Sequence, residues 1–392
     1  MDRSRFAETS PGQLVEITSP SRDVAFVPEP LPPKWKFPQG LWPLVVCANT
    51  AVARLDGMAQ QLPHPQFLLR PLLEREAIRS SQLEGTFATP EELALFEATR
   101  PKQSKDRDSR DASIEEVMNY STALSEGWSL LEKSSGDAMG SGLIRAVHQW
   151  LMQGVRGSDK EPGNFRTTQV FVDADRRYVP PPPEFVQQCM GQLSDSIKGV
   201  RDFGYDPLVS CYMAHYQLEA IHPFLDGNGR VGRVLLALMI YSALNMRMPW
   251  LYMSPYFERN KGDYIALMFD VSATGTWERW IEFCLKGTIE QAEDATKRCE
   301  QLVDLRSTMH RAVESAGSSR LHAIVDMVFD LGFVTVPAIR KQLEVSSQTA
   351  RRDIAILEGK DIVSPLSGQY RGMKVFYSPA MFSIVHSDDP SA

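Results

Sequence analysis

The sequence of 392 residues predicts a mostly α-helical chain, with one β-hairpin in its main domain and a small C-terminal α+β module. Three observations carry this. From about residue 41, apolar residues recur at intervals of three and four. One stretch of the main domain, TTQVFV (167–172) followed by RYV (177–179), alternates like a strand pair. A linker, SAGSSR (315–320), separates a long helical pattern from three shorter ones and a second small hairpin.

Residues 1–38, which include PEPLPPKWKFP, are rich in Pro, Ser and charge and read as extended and at best partly ordered. Residues 39–112 form an N-terminal helical region, with helices near 41–57, 65–84 and 90–99. Thr89 before Pro90, with Glu91 and Glu92 next, is a helix start. RPKQSKDRDSRD (100–111) has no apolar face and reads as a solvated loop. The main domain is expected over 113–314. Its first helices lie near 113–134 and 141–154. The hairpin follows, turning at DADR (173–176) and closed by Pro180 to Pro183, which interrupt strand pairing. After a helix near 184–199, Asp206 caps a helix with Pro207 at its first position, and Pro223 ends that helix. GRVGRVLLALMIYSAL is apolar nearly all round and belongs at the centre. Helices continue at 259–270 and from about 275 to 314, and a small domain occupies 318–386.

The composition, 43% hydrophobic and 23% charged with a net charge of −7, fits a soluble globular protein of two or three domains. That charge argues against a surface built throughout for nucleic acid and leaves room for a local basic patch. The opening MDRSRFAETSPGQ lacks the apolar core of a signal peptide. The apolar run Val234 to Leu244 is too short to span a bilayer, so no membrane association is expected. Five scattered cysteines without a CxxC pair fit reduced core thiols, and a cytoplasmic location is the expectation.

Chemistry concentrates in HPFLDGNGRVGR (222–233). Gly227 and Gly229 permit backbone conformations in which N–H groups converge on an anion, and the helix that follows adds its own free N–H groups. Arg230 and Arg233 share a face of that helix. Cations there cost roughly 0.3–1 kcal/mol each against the helix dipole, which makes sense if a polyanion such as a nucleoside triphosphate sits between them. Asp226 supplies the oxygen ligand Mg²⁺ prefers. Asn228 can donate to a phosphate oxygen, Phe224 anchors the loop, and His222 is the group able to take a proton near neutral pH.

The string resembles the signature of Fic-domain proteins, H-P-F-x-[D/E]-G-N-G-R-x-x-R, at every fixed position. LIRAVHQWLMQGVRG with PGNFRTTQVFV, and SPYFERNKGDYIALM, extend the likeness over roughly residues 40–300. The resemblance implies a Fic-type helical bundle with a β-hairpin flap, and transfer of AMP from ATP to a Ser, Thr or Tyr hydroxyl of a target protein or of the chain itself. In that scheme His222 is the base, Asp226 holds Mg²⁺, and Gly227, Asn228, Gly229, Arg230, Gly232 and Arg233 bind phosphates. A relative that phosphorylates its target has lysine at the position of Gly229, so glycine favours AMP transfer. Thr168, Gln169, Val170, Phe171 and Val172 of the flap either pair with an extended target segment or merely cover the core. Asn260 and Tyr264 either line the nucleotide pocket or are ordinary helix surface and core.

SSQLEG (80–85) resembles the inhibitory motif [S/T]-x-x-x-E-[G/N] through Ser80, Glu84 and Gly85. Gly85 suits a helix C-cap. Glu84 then lies where the helix dipole disfavours an anion; it is either a surface residue at a frayed end or the partner of a cation, for which Arg233 is the candidate. Such a pair would hold ATP in an unproductive pose. Alternatively Glu84 orients a water that removes AMP, which would make the enzyme bifunctional.

The C-terminal module resembles a winged helix. Gln348, Thr349, Arg351 and Arg352 lie on the polar side of its second helix, as DNA-reading residues do. Residues 320–380 hold eight Lys/Arg against six Asp/Glu, a thin balance for DNA, so DNA contact and protein docking both stand. A DNA-binding regulator with a nucleotide-sensing core is the rival reading; an intact His222 speaks against it, since a sensor needs no base. A homodimer stays open.

Overall fold

In the computed structural model, residues 1–59, 66–99, 109–134, 136, 138–155, 157–172, 175–366 and 374–387 are described. Residues 100–108 of the expected solvated loop, the tip of the expected flap turn at 173–174 and residues 367–373 of the last hairpin lie outside them.

The chain begins with a feature that the sequence reading did not separate from extended coil. Strands β1 (Gly12–Ile17) and β2 (Asp23–Pro28) form an antiparallel ribbon in which Gly12 pairs with Pro28 and Ile17 with Asp23. Its apolar residues run together, as Leu14–Val15 and Val24 to Val27, so no alternation marks the strands. Both faces of β2 are covered: Ala25 lies against Val179 and Ile17, and Phe26 against Phe6 and Tyr178, both residues fully buried. The proline-rich segment after it runs along the helical body and buries Leu31.

Helices then follow one another: α1 (Trp42–Ala59), α2 (Gln66–Leu83), α3 (Pro90–Thr99), α4 (Ser109–Lys133), α5 (Ser141–Leu151), α6 (Pro183–Lys198), α7 (Pro207–Ile221) and α8 (Asn228–Ala243). The short α9 (Ser254–Arg259) leads into α10 (Lys261–Thr274) and the 38-residue α11 (Trp277–Glu314). Their ends carry the expected chemistry. The Thr89 hydroxyl accepts from the Glu92 amide while the Glu92 carboxylate accepts from the Thr89 amide, a reciprocal capping box. Asp206 accepts from the Leu208 amide just ahead of Pro207. The helices α7 and α8 form the centre, α8 being enclosed by α2, α4, α5 and α7. This is why both are apolar nearly all round.

The expected flap strands form no ladder among the described residues 167–179. Physical reasons lie in the return arm. Val179 gives its carbonyl to the Phe26 amide of β2, and Pro180 to Pro183 have no N–H to offer. The two arms are joined instead by the Gln169 side-chain amide, which donates to the Val170 and Pro180 carbonyls.

The C-terminal module contains α12 (Ser319–Leu331), β3 (Phe333–Val334), α13 (Val336–Leu343), α14 (Ser347–Glu358), β4 (Ser364–Pro365), β5 (Phe376–Tyr377) and α15 (Pro379–His386), with strand order β3-β5-β4. The closing helix α15 was not foreseen. This module rests on α11 and α2 through α12 and α15. Arg298 of α11, fully buried, donates to the Ile384, Val385 and Ser387 carbonyls at the end of α15 and to Asp294, which also takes Arg75 of α2. Among the described residues no helix is long and apolar enough to cross a membrane.

Candidate active site

Pro223 stops α7 at Ile221, and His222 turns the chain with a left-handed φ of 51°. The loop then re-enters helix at Asn228, after Gly227 at φ 76°. The first-turn N–H groups of α8 therefore open onto a crevice of about 660 Å³ between α7, α8, α10 and the flap. His222, Gly229, Arg233, Glu84 and Lys261 line one end, while Tyr178, Tyr216, Ile265, Met268 and Phe269 give the rest an apolar wall.

Several residues far away in the chain hold this loop. Arg166, 3% exposed, gives all its described bonds to backbone carbonyls: His222, Ile221, Thr168 and Pro181. It thereby ties the loop to the flap base. His148 stacks on Phe224 with centroids 3.8 Å apart. Its Nδ1 accepts from the Gly163 amide, so the proton sits on Nε2 and is donated to the Asp226 carbonyl, 3.2 Å away. Both residues fall in stretches that extend the family likeness, LIRAVHQWLMQGVRG and PGNFRTTQVFV, but nothing in those stretches singles out their tasks.

The loop residues divide into those that face the crevice and those that do not. His222 faces it. Burial, then the neighbouring Arg166 charge, pushes its imidazole down to about 4, so it is neutral at pH 7. Asp226 is half-exposed. Burial raises its pKa, but the hydrogen bond and charge of Lys160 at 3.1 Å and the Gly227 amide outweigh this and hold it below the usual carboxylate range. An ionised carboxylate already drawing a cation fits a Mg²⁺ ligand.

Asn228 has a different task from the expected one. Its side chain accepts from the Phe224 amide and donates to the Phe224 carbonyl, both at 2.9 Å, so it staples the loop. Arg230 is also turned away. Its guanidinium is 2% exposed and sits 3.1 Å from Glu116 of α4, with Asp226 at 3.7 Å. Gly232 is needed for space, since a Cβ there would overlap the Glu219 carboxylate. Asn260 caps the Tyr256 carbonyl at the α9–α10 junction. Tyr264 does line the crevice, and its hydroxyl bonds His215 Nε2 at 2.8 Å.

Arg233 is the arginine that meets the crevice, and it is occupied. Glu84 Oε1 lies 2.7 Å from its Nη2, Ser80 Oγ accepts from its Nε at 2.7 Å, and the Ser80 carbonyl accepts from Nη2 at 3.0 Å. Burial raises the Glu84 carboxyl, but the charge and hydrogen bond of Arg233 prevail and leave it below its ordinary value. The carboxylate lies against Gly229, where a Cβ would overlap it. It thus sits beside the first turn of α8. Gly85 closes α2 at φ 81°, and Lys261 donates to the Leu83 carbonyl, which fixes the helix end. A second tie follows at once: the Thr86 hydroxyl donates to the same Glu116 oxygen that Arg230 contacts.

At the flap, Val172 is exposed at the crevice mouth and Thr168 offers its carbonyl to Arg166. Phe171 is packed under Arg176 and against Ile17 of the ribbon, and Val170 is half-buried. On α14, Gln348, Arg351 and Arg352 are exposed, and Thr349 helps form the cap with Ser346.

Comparisons with known proteins agree with this layout. Residues 42–129 match the Fic/DOC family N-terminal domain, residues 140–240 the Fic/DOC family, and residues 320–371 the DeoR-like helix-turn-helix domain. Over 80 residues the chain is 40% identical to protein adenylyltransferase fic-1 of Caenorhabditis elegans, a stretch covering 20% of this chain and 15% of that protein. Over 83 residues it is 37% identical to protein adenylyltransferase Fic of Nematostella vectensis, covering 21% and 19%. The chain thus spans less than a fifth of the length of these curated relatives. In fold it is similar to a Fic family protein from Desulfovibrio desulfuricans, with a TM-score of 0.56 at 21% identity over 89% of this chain and 99% of the other. It is also similar to Fic-1 from C. elegans, with a TM-score of 0.52 at 20% identity over 66% and 74%.

Proposed function

The chain is a Fic family protein, carrying a Fic N-terminal domain and a Fic domain, and from that premise we propose that it transfers AMP from ATP to a hydroxyl of a target protein and restrains itself through Glu84. The observation that carries this reading is the occupied Arg233: a base, this arginine and the start of α8 share one crevice, a metal-fitting carboxylate lies on the same loop, and the chain's own Glu84 holds the arginine.

In the reaction, neutral His222 Nε2 or Nδ1 takes the proton of a Ser, Thr or Tyr hydroxyl. The oxygen attacks the α-phosphorus, the bond to the bridging oxygen breaks, and pyrophosphate leaves. The first-turn amides of α8 and Arg233 neutralise the phosphate charge, which is the main demand of such chemistry. Asp226 would hold Mg²⁺, which supplies charge neutralisation on the phosphates. Arg166 and His148 keep the loop in position. Arg230 and Asn228 act as supports of the loop instead of phosphate ligands. Glu84 must leave Arg233 before the γ-phosphate can use it, so the pair is inhibitory.

The test is incorporation of label from α-labelled ATP into protein by wild type, Glu84→Gly and His222→Ala. Glu84→Gly should exceed wild type by about tenfold, given the loss of a charge-assisted bond between buried Arg233 and a partly exposed Glu84, and His222→Ala should show none. Equal activity of Glu84→Gly and wild type would remove the inhibitory reading. The exposed Gln348, Arg351 and Arg352 on α14 favour an accessory contact of the C-terminal module with DNA. A salt-dependent gel shift lost in Arg351→Ala/Arg352→Ala would support it, and no shift with the wild type would reject it.

A further inference from the structure

One carboxylate of the crevice stands apart from the others. Glu84 has Arg233, Asp226 has Lys160, and Glu116 has Arg230 and Thr86. Glu76, deeper in the core, accepts from Tyr120 and Ser254. Glu219 lines the crevice from α7, yet its Oε1 is buried with no hydrogen-bond partner among the described residues. Burial pushes its pKa up to about 7, with Arg233 pulling it down and Glu84 pushing it further up.

The site makes room for this carboxylate. Gly232 lacks the Cβ that would overlap Glu219 Oε1, so the α7–α8 contact is hollowed where the carboxylate sits. Oε1 is closed off against Gly232, while Oε2 has no described partner and belongs to a residue that lines the crevice, so it is the oxygen that a ligand's donors can reach. Phosphate oxygens bring none. The wall formed by Tyr178, Ile265, Met268 and Phe269 suits the face of a base and offers it little polar contact. Between phosphates and base a nucleotide carries the hydroxyls of its sugar. Glu219 precedes His222 by three residues, about 4.5 Å along the helix axis. That offset is comparable to the span from an α-phosphate to the hydroxyl edge of the ribose it esterifies.

We propose that Glu219 is a specificity residue that accepts hydrogen bonds from the ribose hydroxyls of the nucleotide and selects ribonucleotides over deoxyribonucleotides. The assignment rests on the reading that the crevice takes ATP. It adds a role for a residue outside the HPFLDGNGRVGR loop and explains the glycine at 232 as the partner that accommodates it.

The experiment measures dissociation constants by calorimetry for ATP, 2′-deoxy-ATP and 3′-deoxy-ATP with the full chain carrying Glu84→Gly, which opens Arg233, alone and combined with Glu219→Ala or Glu219→Gln. At about pH 8, where Glu219 is ionised, at least one deoxy analogue should bind the Glu84→Gly chain about tenfold or more weaker than ATP, as expected for loss of a hydrogen bond to a charged acceptor. In Glu219→Ala, ATP should weaken to the level of that analogue and the ratio fall close to one. Glu219→Gln keeps an acceptor oxygen and should retain part of the ratio, which a merely structural role would not produce. If ATP binds with no ribose preference, or the preference survives Glu219→Ala, the assignment is wrong while the nucleotide reading stands. Absence of ATP binding by the Glu84→Gly chain would overturn both.

Discussion

Glu116 offers the sharpest test of how the loop is supported. It comes from α4, is almost wholly buried, and meets Arg230 at 3.1 Å and the Thr86 hydroxyl at 2.8 Å. Glu116→Ala would leave the Arg230 guanidinium enclosed with its main counter-charge gone. Breaking a buried pair in this way costs roughly 3–5 kcal/mol. Asp226 at 3.7 Å from Arg230 offsets part of the loss, so the lower end applies, about 3 kcal/mol. At roughly 2–4 °C per kcal/mol for a domain of this size, Tm should drop by roughly 6–12 °C. Differential scanning calorimetry of the full chain would measure it. Replacing both partners, Glu116→Leu with Arg230→Met, should recover most of the loss, because a buried pair exchanged for apolar groups is close to neutral. A drop of no more than about 2 °C in the single variant, or simple additivity of the two substitutions, would refute the account of Arg230 as a buried support.

Three further outcomes follow from the same geometry. His222 must be unprotonated to act, and its pKa is lowered to about 4; the transfer rate of Glu84→Gly should therefore hold as pH falls through 6.5 and decline only nearer 4, and a half-point at 6.5 would contradict the buried environment. Lys160→Ala removes a cation that competes at Asp226, so the Mg²⁺ concentration for half-maximal transfer should fall, and an unchanged or higher value would argue against Asp226 as the ligand. Ser80→Ala deprives Arg233 Nε of its acceptor and loosens the clamp by about 1–3 kcal/mol; basal transfer should rise to a level between wild type and Glu84→Gly, measured in the same labelled-ATP assay.

Much of this was legible in the chain because it is local. HPFLDGNGRVGR is contiguous, and a carboxylate at the C-terminal end of α2 is an electrostatic oddity visible without coordinates. Partners brought from a distance were not legible. Lys160 and Glu116 act on the loop from positions without a motif, and His148 and Arg166 from stretches whose likeness does not reveal which side chain does what. Their absence from the reading explains why Arg230 and Asn228 were cast as phosphate ligands: with Glu116 and Phe224 unseen, each had donors to spare. The flap shows the opposite case. Its alternation is real, but the ribbon at residues 12–28 claims the Val179 carbonyl, and four prolines remove the donors a ladder needs. Gly232 illustrates a third limit. A glycine in a motif invites a ligand-binding role, whereas its spatial reason is the carboxylate of Glu219 across the helix pair.

The contact of Arg298 with the end of α15 has a consequence for the order in which the protein matures. The three carbonyls that receive this guanidinium lie 86 to 89 residues later in the chain. During synthesis, Arg298 and the Asp294–Arg75 pair behind it must wait, lacking these acceptors, until Ser387 has emerged from the ribosome. The wall against which α2 rests is completed by that event, and α2 is the element that carries Glu84.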